Sequence, residues 1–296
     1  MYLISILDFE DRIGRIVERS IELKSTEHNE DLKDKSLAMI FEKKSTRTRV
    51  SFEVAMTQLG GHALFLSSEQ MQLGRGETIE DTAKVLSRFV DGIVYRAYSH
   101  ELMKKLAENS SVPVINALDD LEHPCQIIAD LVTIKEKKRE LKGLKLAYVG
   151  DGNNVCNSLM LACPIMGMDI SIGCPEGCEP SMLSVSEKLA KKYGTSVTIF
   201  EDPKRAVENA DVIYTDVWIS MGMEKGDREA IFKPYQVNKE LASYAKEDYI
   251  FMHCLPAHRG LEVTGEIIDD PKHSVVFDEA ENRLHAQKAI LLELLK

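Results

Sequence analysis

Short continuous apolar runs alternate along the chain with stretches whose apolar residues recur every three or four positions. Leu37-Ala38-Met39-Ile40-Phe41 is the clearest run, and five apolar residues in a row suit a strand buried on both faces of a parallel sheet. Phe52, Ala55, Met56 and Leu59 follow at i, i+3, i+4 and i+7, which puts them on one face of a helix. Read in this way, the pattern predicts strands at 37–41, 62–66, 92–96, 112–116, 144–149, 169–173, 196–200, 211–215 and 248–252. It predicts helices around 47–58, 78–89, 100–108, 124–138, 154–166, 181–193 and 278–295. The alternation implies an α/β fold in two domains, each an open, mostly parallel sheet flanked by helices. The charged stretch KEKKRELKG, 135–143, precedes the fresh strand LKLAYVG and marks the division. The first domain is then 1–138, with a C-terminal helix, 278–296, packing back on it, and the second is 139–277. Ligands in such sheets bind outside the carboxyl ends of the strands, so two facing crevices are expected to make one cleft.

Composition leaves that picture intact. A chain of 296 residues can fill two domains, and 44% hydrophobic with 29% charged residues is ordinary for a globular protein. No stretch approaches the ~20 apolar residues of a membrane span. The start, MYLISILDFEDRI, has no basic segment leading into an apolar signal core. A cytoplasmic protein with no membrane partner is expected. The formal net charge of -11 argues against nucleic acid as a partner, because binding it requires neutralising phosphates over a broad surface. Cys174 and Cys178 in CPEGC have no second Cys or His pair at a familiar metal spacing, so free thiols and no metal are expected of the six cysteines.

Charge changes the picture at one place. Lys43, Lys44, Arg47 and Arg49 crowd between the end of the first strand and the first turn of the next helix. Ser45 can cap that turn and leave backbone N–H groups pointing outward. The helix dipole disfavours each exposed arginine there by ~0.3–1 kcal/mol unless an anion offsets it. A phosphate fits, since N–H groups, hydroxyls and guanidinium forks all bind its oxygens. Arg96 directly after GIVY, and His123 and Gln126 around the helix-starting Pro124 of EHPCQ, stand at other strand ends of the same half.

The second half carries its own set. YVGDGNNV, 148–155, follows a strand and opens a helix like a dinucleotide fingerprint, with Gly150 and Gly152 present but Val155 in place of the third glycine. A nicotinamide-dependent dehydrogenase, with Glu176 on the ribose, is therefore the rival reading. It is the weaker one, because Asn153 and Asn154 put amides where a pyrophosphate needs close backbone approach. TDVWISMG, 215–222, and MHCLPAHRG, 252–260, end strands in polar loops. Cys254 there is either a thiolate nucleophile or a small buried hydrophobe with a weak donor.

In order along the chain, STRTR (45–49), Gln72, VYRAY around Arg96, HPCQ (123–126), GDGNN (150–154), DVWISMG (216–222), HCLP (253–256) and EAENR (279–283) resemble the ornithine carbamoyltransferases. STRTR and HP-x-Q also mark aspartate carbamoyltransferases, whereas DVWISMG and HCLP look specific for ornithine. A putrescine carbamoyltransferase is the nearest alternative, and its loop is expected to lack Ser-Met-Gly at 220–222. The resemblance implies transfer of a carbamoyl group from carbamoyl phosphate to the side-chain amine of L-ornithine, giving citrulline and phosphate. It implies that Ser45, Thr46, Arg47 and Thr48 hold the phosphate, with Gln72 contributed by a neighbouring subunit. Arg96, His123 and Gln126 would surround the carbamoyl group, and Arg283 would return to it from the last helix. Asn154, Asp216, Ser220 and Met221 would bind the amino-acid end of ornithine, while Cys254 and Leu255 would bind carbamoyl phosphate near the reacting amine. It further implies a homotrimer, or a higher oligomer of trimers, and no cofactor: the amine attacks directly, so Cys254 is a polar contact rather than a nucleophile.

Overall fold

The computed structural model describes residues 2–25, 28–72, 76–219 and 228–296. The chain divides into two compact units, Met1–Val132 with Glu281–Lys296, and Thr133–Ala280.

In the first unit, strands β1 (Ser36–Phe41), β2 (His62–Ser67), β3 (Gly92–Arg96) and β4 (Val114–Leu118) form a parallel sheet in the order β2-β1-β3-β4. Its helices are α1 (Ile13–Glu22), α2 (Thr46–Gln58), α3 (Ile79–Leu86), α4 (His100–Asn109) and the first part of α5 (Pro124–Lys138). The run 37–41 is buried throughout, and so is the α2 face made by Phe52, Ala55, Met56 and Leu59. Strand β4 starts two residues later than its apolar run, because Pro113 has no N–H for the ladder. The Pro113 carbonyl still accepts from Ile93 N at 2.9 Å. Helix α1 is absent from the sequence reading although Ile13, Ile16, Val17 and Ser20 have helical spacing and are buried.

In the second unit, β5 (Lys145–Val149), β6 (Asp169–Gly173), β7 (Val197–Phe200), β8 (Val212–Thr215) and β9 (Ile250–Met252) run parallel in the order β7-β6-β5-β8-β9. The helices are α6 (Asn154–Ile165), α7 (Leu183–Tyr193), α8 (Pro203–Val207), α9 (Arg228–Phe232), α10 (Lys239–Ala242), α11 (Gly265–Ile268) and α12 (Val276–Leu295). From residue 281 onward α12 belongs to the first unit, where Arg15 reaches Glu293 at 2.7 Å. There a Cβ on Gly92 would meet the tip of the Leu295 side chain, Cδ2, at 2.7 Å, so helix and sheet touch closely at the start of β3 and a larger residue would turn that leucine aside. This helix is buried almost all round rather than along one stripe. Of its expected apolar contacts Ala289 and Leu291 are buried while Ala280, Leu284 and Leu292 are only partly so, and the polar Asn282, Arg283, Gln287 and Lys288 are buried instead.

Strand order fixes where ligands can enter. It reverses direction between β1 and β3 in one sheet and between β5 and β8 in the other, and such switch points open a crevice at the strands' carboxyl ends. STRTR and Arg96 flank the first switch point, GDGNN and Asp216 the second.

Candidate active site

In the first unit, Ser45 is the extended N-cap of α2 and accepts from Thr48 N at 3.3 Å. Of the four neighbouring cations, Arg49 turns away to Glu53 (2.9 Å) and lies over the Phe65 ring at 3.7 Å, while Lys43 sits over the Tyr98 ring. Arg47 is the one whose charge reaches His123. From α12, Arg283 donates Nη1–H to Gln126 Oε1 at 2.5 Å and Nη2–H to Thr48 Oγ1 at 3.1 Å. Gln126 Nε2 in turn donates to Asp130 at 2.8 Å. Thr48, Arg96, His123, Gln126 and Arg283 are all buried. Burial holds His123 well below the ordinary histidine range, and the guanidinium groups of Arg283, Arg96 and Arg47 push the same way. The ring is therefore neutral near pH 7. Every charge acting appreciably on it is positive, which is the field an anion would neutralise.

The turn that presents His123 hangs on a carboxylate the sequence reading passed over. Buried Asp119 accepts from Asn116 Nδ2 (2.8 Å), Leu121 N (2.8 Å) and Glu122 N (2.7 Å), and His100 Nδ1 lies 2.6 Å away. The hydrogen bond to Asp119 raises the His100 pKa against burial and the charge of Lys104. The folded state thus holds that proton more tightly than the unfolded chain. The resulting stability is complete below about pH 6.5 and is lost as pH rises through the raised folded-state value. His100→Gln is expected to lower the melting temperature at pH 6 and to flatten its decline towards pH 9. Parallel wild-type and variant profiles in a thermal melt series would remove this role.

In the second unit, Asn153 caps α6, its Oδ1 accepting from Val155 N and Cys156 N, while its Nδ2 donates to Asp216 Oδ2 at 2.8 Å. Asp216 Oδ1 accepts from Val217 N at 2.8 Å and Cys254 Sγ at 3.2 Å. The carboxylate is 7% exposed, and among the described residues no Lys or Arg forms an ion pair with it. Asn154 opens α6, its Oδ1 3.0 Å from Val155 N, so the amide that reaches Asp216 is that of Asn153 instead. Leu255 has φ +56°, its N–H donating to His253 Nδ1 at 2.9 Å, while His253 Nε2 faces Glu262 Oε1 at 3.3 Å. Asp216, His253 and Cys254 offer ligand atoms within 4.8 Å of one another, but both His253 nitrogens and both Asp216 oxygens are already engaged. The arrangement is a hydrogen-bonded set that a metal would have to break. Gln72 is exposed, and Ser220 and Met221 lie outside the described residues.

The glycines of GDGNN have a local explanation. A Cβ on Gly152 would stand 2.3 Å from Pro180 N and 2.6 Å from Cys178 O, so the protein's own backbone occupies the space that a dinucleotide fingerprint leaves for pyrophosphate.

Sequence comparison matches residues 2–136 to the "Aspartate/ornithine carbamoyltransferase, carbamoyl-P binding domain" and 142–294 to the corresponding "Asp/Orn binding domain". The chain is 56% identical over 299 residues to a catabolic ornithine carbamoyltransferase of Thermoplasma acidophilum, covering 99% of this chain and 98% of that one. It is 58% identical over 299 residues to an ornithine carbamoyltransferase of Methanobrevibacter smithii, with 99% of each covered. Among solved structures, the ornithine carbamoyltransferase from Pyrococcus furiosus superposes with a TM-score of 0.96 at 53% identity, over 99% of this chain and 96% of that one. The anabolic enzyme from Campylobacter jejuni gives 0.94 at 42% identity, over 99% and 98%.

Proposed function

The chain belongs to the aspartate/ornithine carbamoyltransferase family, and on that premise we propose that it transfers the carbamoyl group of carbamoyl phosphate to the side-chain amine of L-ornithine, giving L-citrulline and phosphate. The observation that carries an amine substrate over aspartate is Asp216, a buried carboxylate supplied with an amide, a thiol and a backbone N–H but, among the described residues, with no cation. The choice of ornithine over putrescine is supported by the ornithine carbamoyltransferases that this chain resembles. A substrate ammonium group completes it, and aspartate would bring a carboxylate to the same place.

The roles follow from the chemistry. Ser45, Thr46, Arg47 and Thr48 hold the phosphate at the α2 N-terminus, with Gln72 contributed by a neighbouring subunit. Arg96, His123 and Gln126 surround the carbamoyl group, and Arg283 braces Gln126 and Thr48. Asp216, Asn154, Ser220 and Met221 receive the amino-acid end of ornithine, with Cys254 and Leu255 beside the reacting amine. That amine, with an ordinary pKa of about 10.4 by analogy with Lys, must be deprotonated before it attacks. Its nitrogen then bonds to the carbonyl carbon, and negative charge gathers on the carbonyl oxygen. Arg47, Arg96, Thr48 and the neutral ring of His123 serve that oxyanion as donors. The C–O bond to phosphate breaks, and the phosphate takes the surplus proton. Nucleophile and electrophile are both substrates, so the reaction calls for no cofactor.

A homotrimer, or an oligomer of trimers, is part of this reading. Strand β2 is a sheet edge with Leu64 exposed, and Val50 and Phe89 in the same unit are also exposed, as suits apolar groups covered by further copies. Light scattering should give three times 33.3 kDa or a multiple of that mass, and a monomer would refute it. Among the described residues no helix is long and apolar enough to cross a membrane. The six free thiols suit a reducing compartment, and we place the protein in the cytoplasm.

The deciding assay supplies carbamoyl phosphate with ornithine, putrescine or aspartate in turn. Citrulline from ornithine is expected, and robust activity only with putrescine or aspartate would overturn the substrate. Titration with NAD is expected to give neither heat nor fluorescence quenching; clear binding would revive the dehydrogenase reading.

A further inference from the structure

Arg228, the first residue of α9, ties two separate segments together. Its Nε–H donates to the carbonyl of Trp218 at 2.9 Å, and its Nη2 meets Asp151 Oδ2 at 2.7 Å. The guanidinium also lies 5.0 Å from the Phe232 ring centroid, and that ring stacks on the indole of Trp218. One end of this clasp cannot move. Gly150 N donates to Gly173 O and Gly152 N to Cys178 O, both at 2.9 Å, and the packing at Gly152 leaves no room for a Cβ. Asp151, between those glycines, is therefore a fixed post in the turn that continues into Asn153 and Asn154. The other end is the Trp218 carbonyl, two residues beyond Asp216. The edge of the indole lies against the same turn, with Trp218 Cδ1 3.8 Å from where a Gly150 Cβ would sit.

We propose that Arg228 is a positioning residue for ornithine: by bridging Asp151 and the Trp218 carbonyl it sets where the Asp216 carboxylate stands relative to the N-terminus of α6. The Asn153–Asp216 bond is a second, weaker tie between the same segments. A planar guanidinium holds the Nε–H bond to the carbonyl and its charge beside Asp151 at a set separation, although Nη2 meets Oδ2 as an ion pair and not as an aligned hydrogen bond. A lysine ammonium on its flexible stem can keep the charge beside Asp151 but cannot hold the carbonyl in the same geometry. The inference rests on the reading of Asp216 as an ornithine ligand.

The test compares wild type with Arg228→Lys and Arg228→Met in steady-state kinetics for each substrate. The kcat/KM for ornithine is expected to fall about ten- to a hundredfold, with a rise in the ornithine KM, since misplacement by about 1 Å costs up to about a hundredfold. The KM for carbamoyl phosphate should stay within about twofold because the clasp touches none of its ligands, and Lys should be milder than Met. Adding Asp151→Asn to Arg228→Met should cost nothing further, as coupled partners are non-additive. Trp218 is the chain's single tryptophan and is buried, so its emission should shift to the red in both variants. An unchanged ornithine KM, or both KM values rising together, overturns the proposal. Wild-type citrulline formation is measured first, and its absence removes the functional reading alone. The clasp is then judged by Trp218 emission, where an unshifted spectrum in both variants sinks it.

Discussion

Arg47→Ala is expected to lower turnover about 10²–10³-fold, the cost of removing one preorganised donor from a developing oxyanion, while the melting temperature changes little. Arg47 is half-buried on the first turn of α2, an exposed enough position that truncation leaves no cavity in the core. Burial is the main reason the His123 ring is neutral, and Arg283, Arg96 and last Arg47 add to it, so loss of Arg47 leaves that ring neutral and removes chiefly the donor. Single-turnover kinetics with a parallel thermal melt separates the two effects. Unchanged turnover, or a fall that follows a loss of folded protein, would contradict the role assigned to it.

Asp216→Asn is expected to raise the ornithine KM about a hundredfold or more, as loss of one member of a buried charge pair costs about 2–5 kcal/mol. The amide keeps the shape of the carboxylate, and its oxygen can still accept from Val217 N or Cys254 Sγ. The charge that would meet the substrate ammonium is gone. Its new NH₂ faces Asn153 Nδ2, and Asn153 cannot turn over without giving up the α6 cap made by its Oδ1. Carbamoyl phosphate affinity, measured by calorimetry, should change far less, because the one residue of that ligand's set that Asp216 touches, Cys254, keeps an oxygen to donate to. An equal loss for both substrates would remove Asp216 from the ornithine role. This variant also differs from Arg228→Lys in kind: one deletes the charge that binds, the other leaves the charge and loosens its position.

The residues that escaped the sequence reading share a reason. Asp119, Asn153 and Arg228 act on neighbours rather than on a ligand, and an isolated Asp, Asn or Arg in a polar loop carries no periodic signal. Asn153 was visible only as an amide in the wrong place for a pyrophosphate, whereas in the folded chain it both caps α6 and holds Asp216. Gly152 was misleading for the opposite reason, because a glycine needed for close approach to Cys178 and Pro180 looks the same in sequence as one needed for close approach to a cofactor.

Among the described residues, hydrophobic spacing alone marked nine strands, seven of them runs buried almost throughout and two, the edge strands β2 and β7, apolar stretches that stay largely part-exposed. The ordered motifs likewise determined the family. Only the tertiary structure decided which polar groups meet: Arg283 reaches Thr48 across 235 positions and Gln126 across 157, and Asn153 reaches Asp216 across 63. Local periodicity reports which face of an element leaves water. The partner of a buried charge is chosen by strand order and by the switch points it creates, and no short stretch of sequence contains that order.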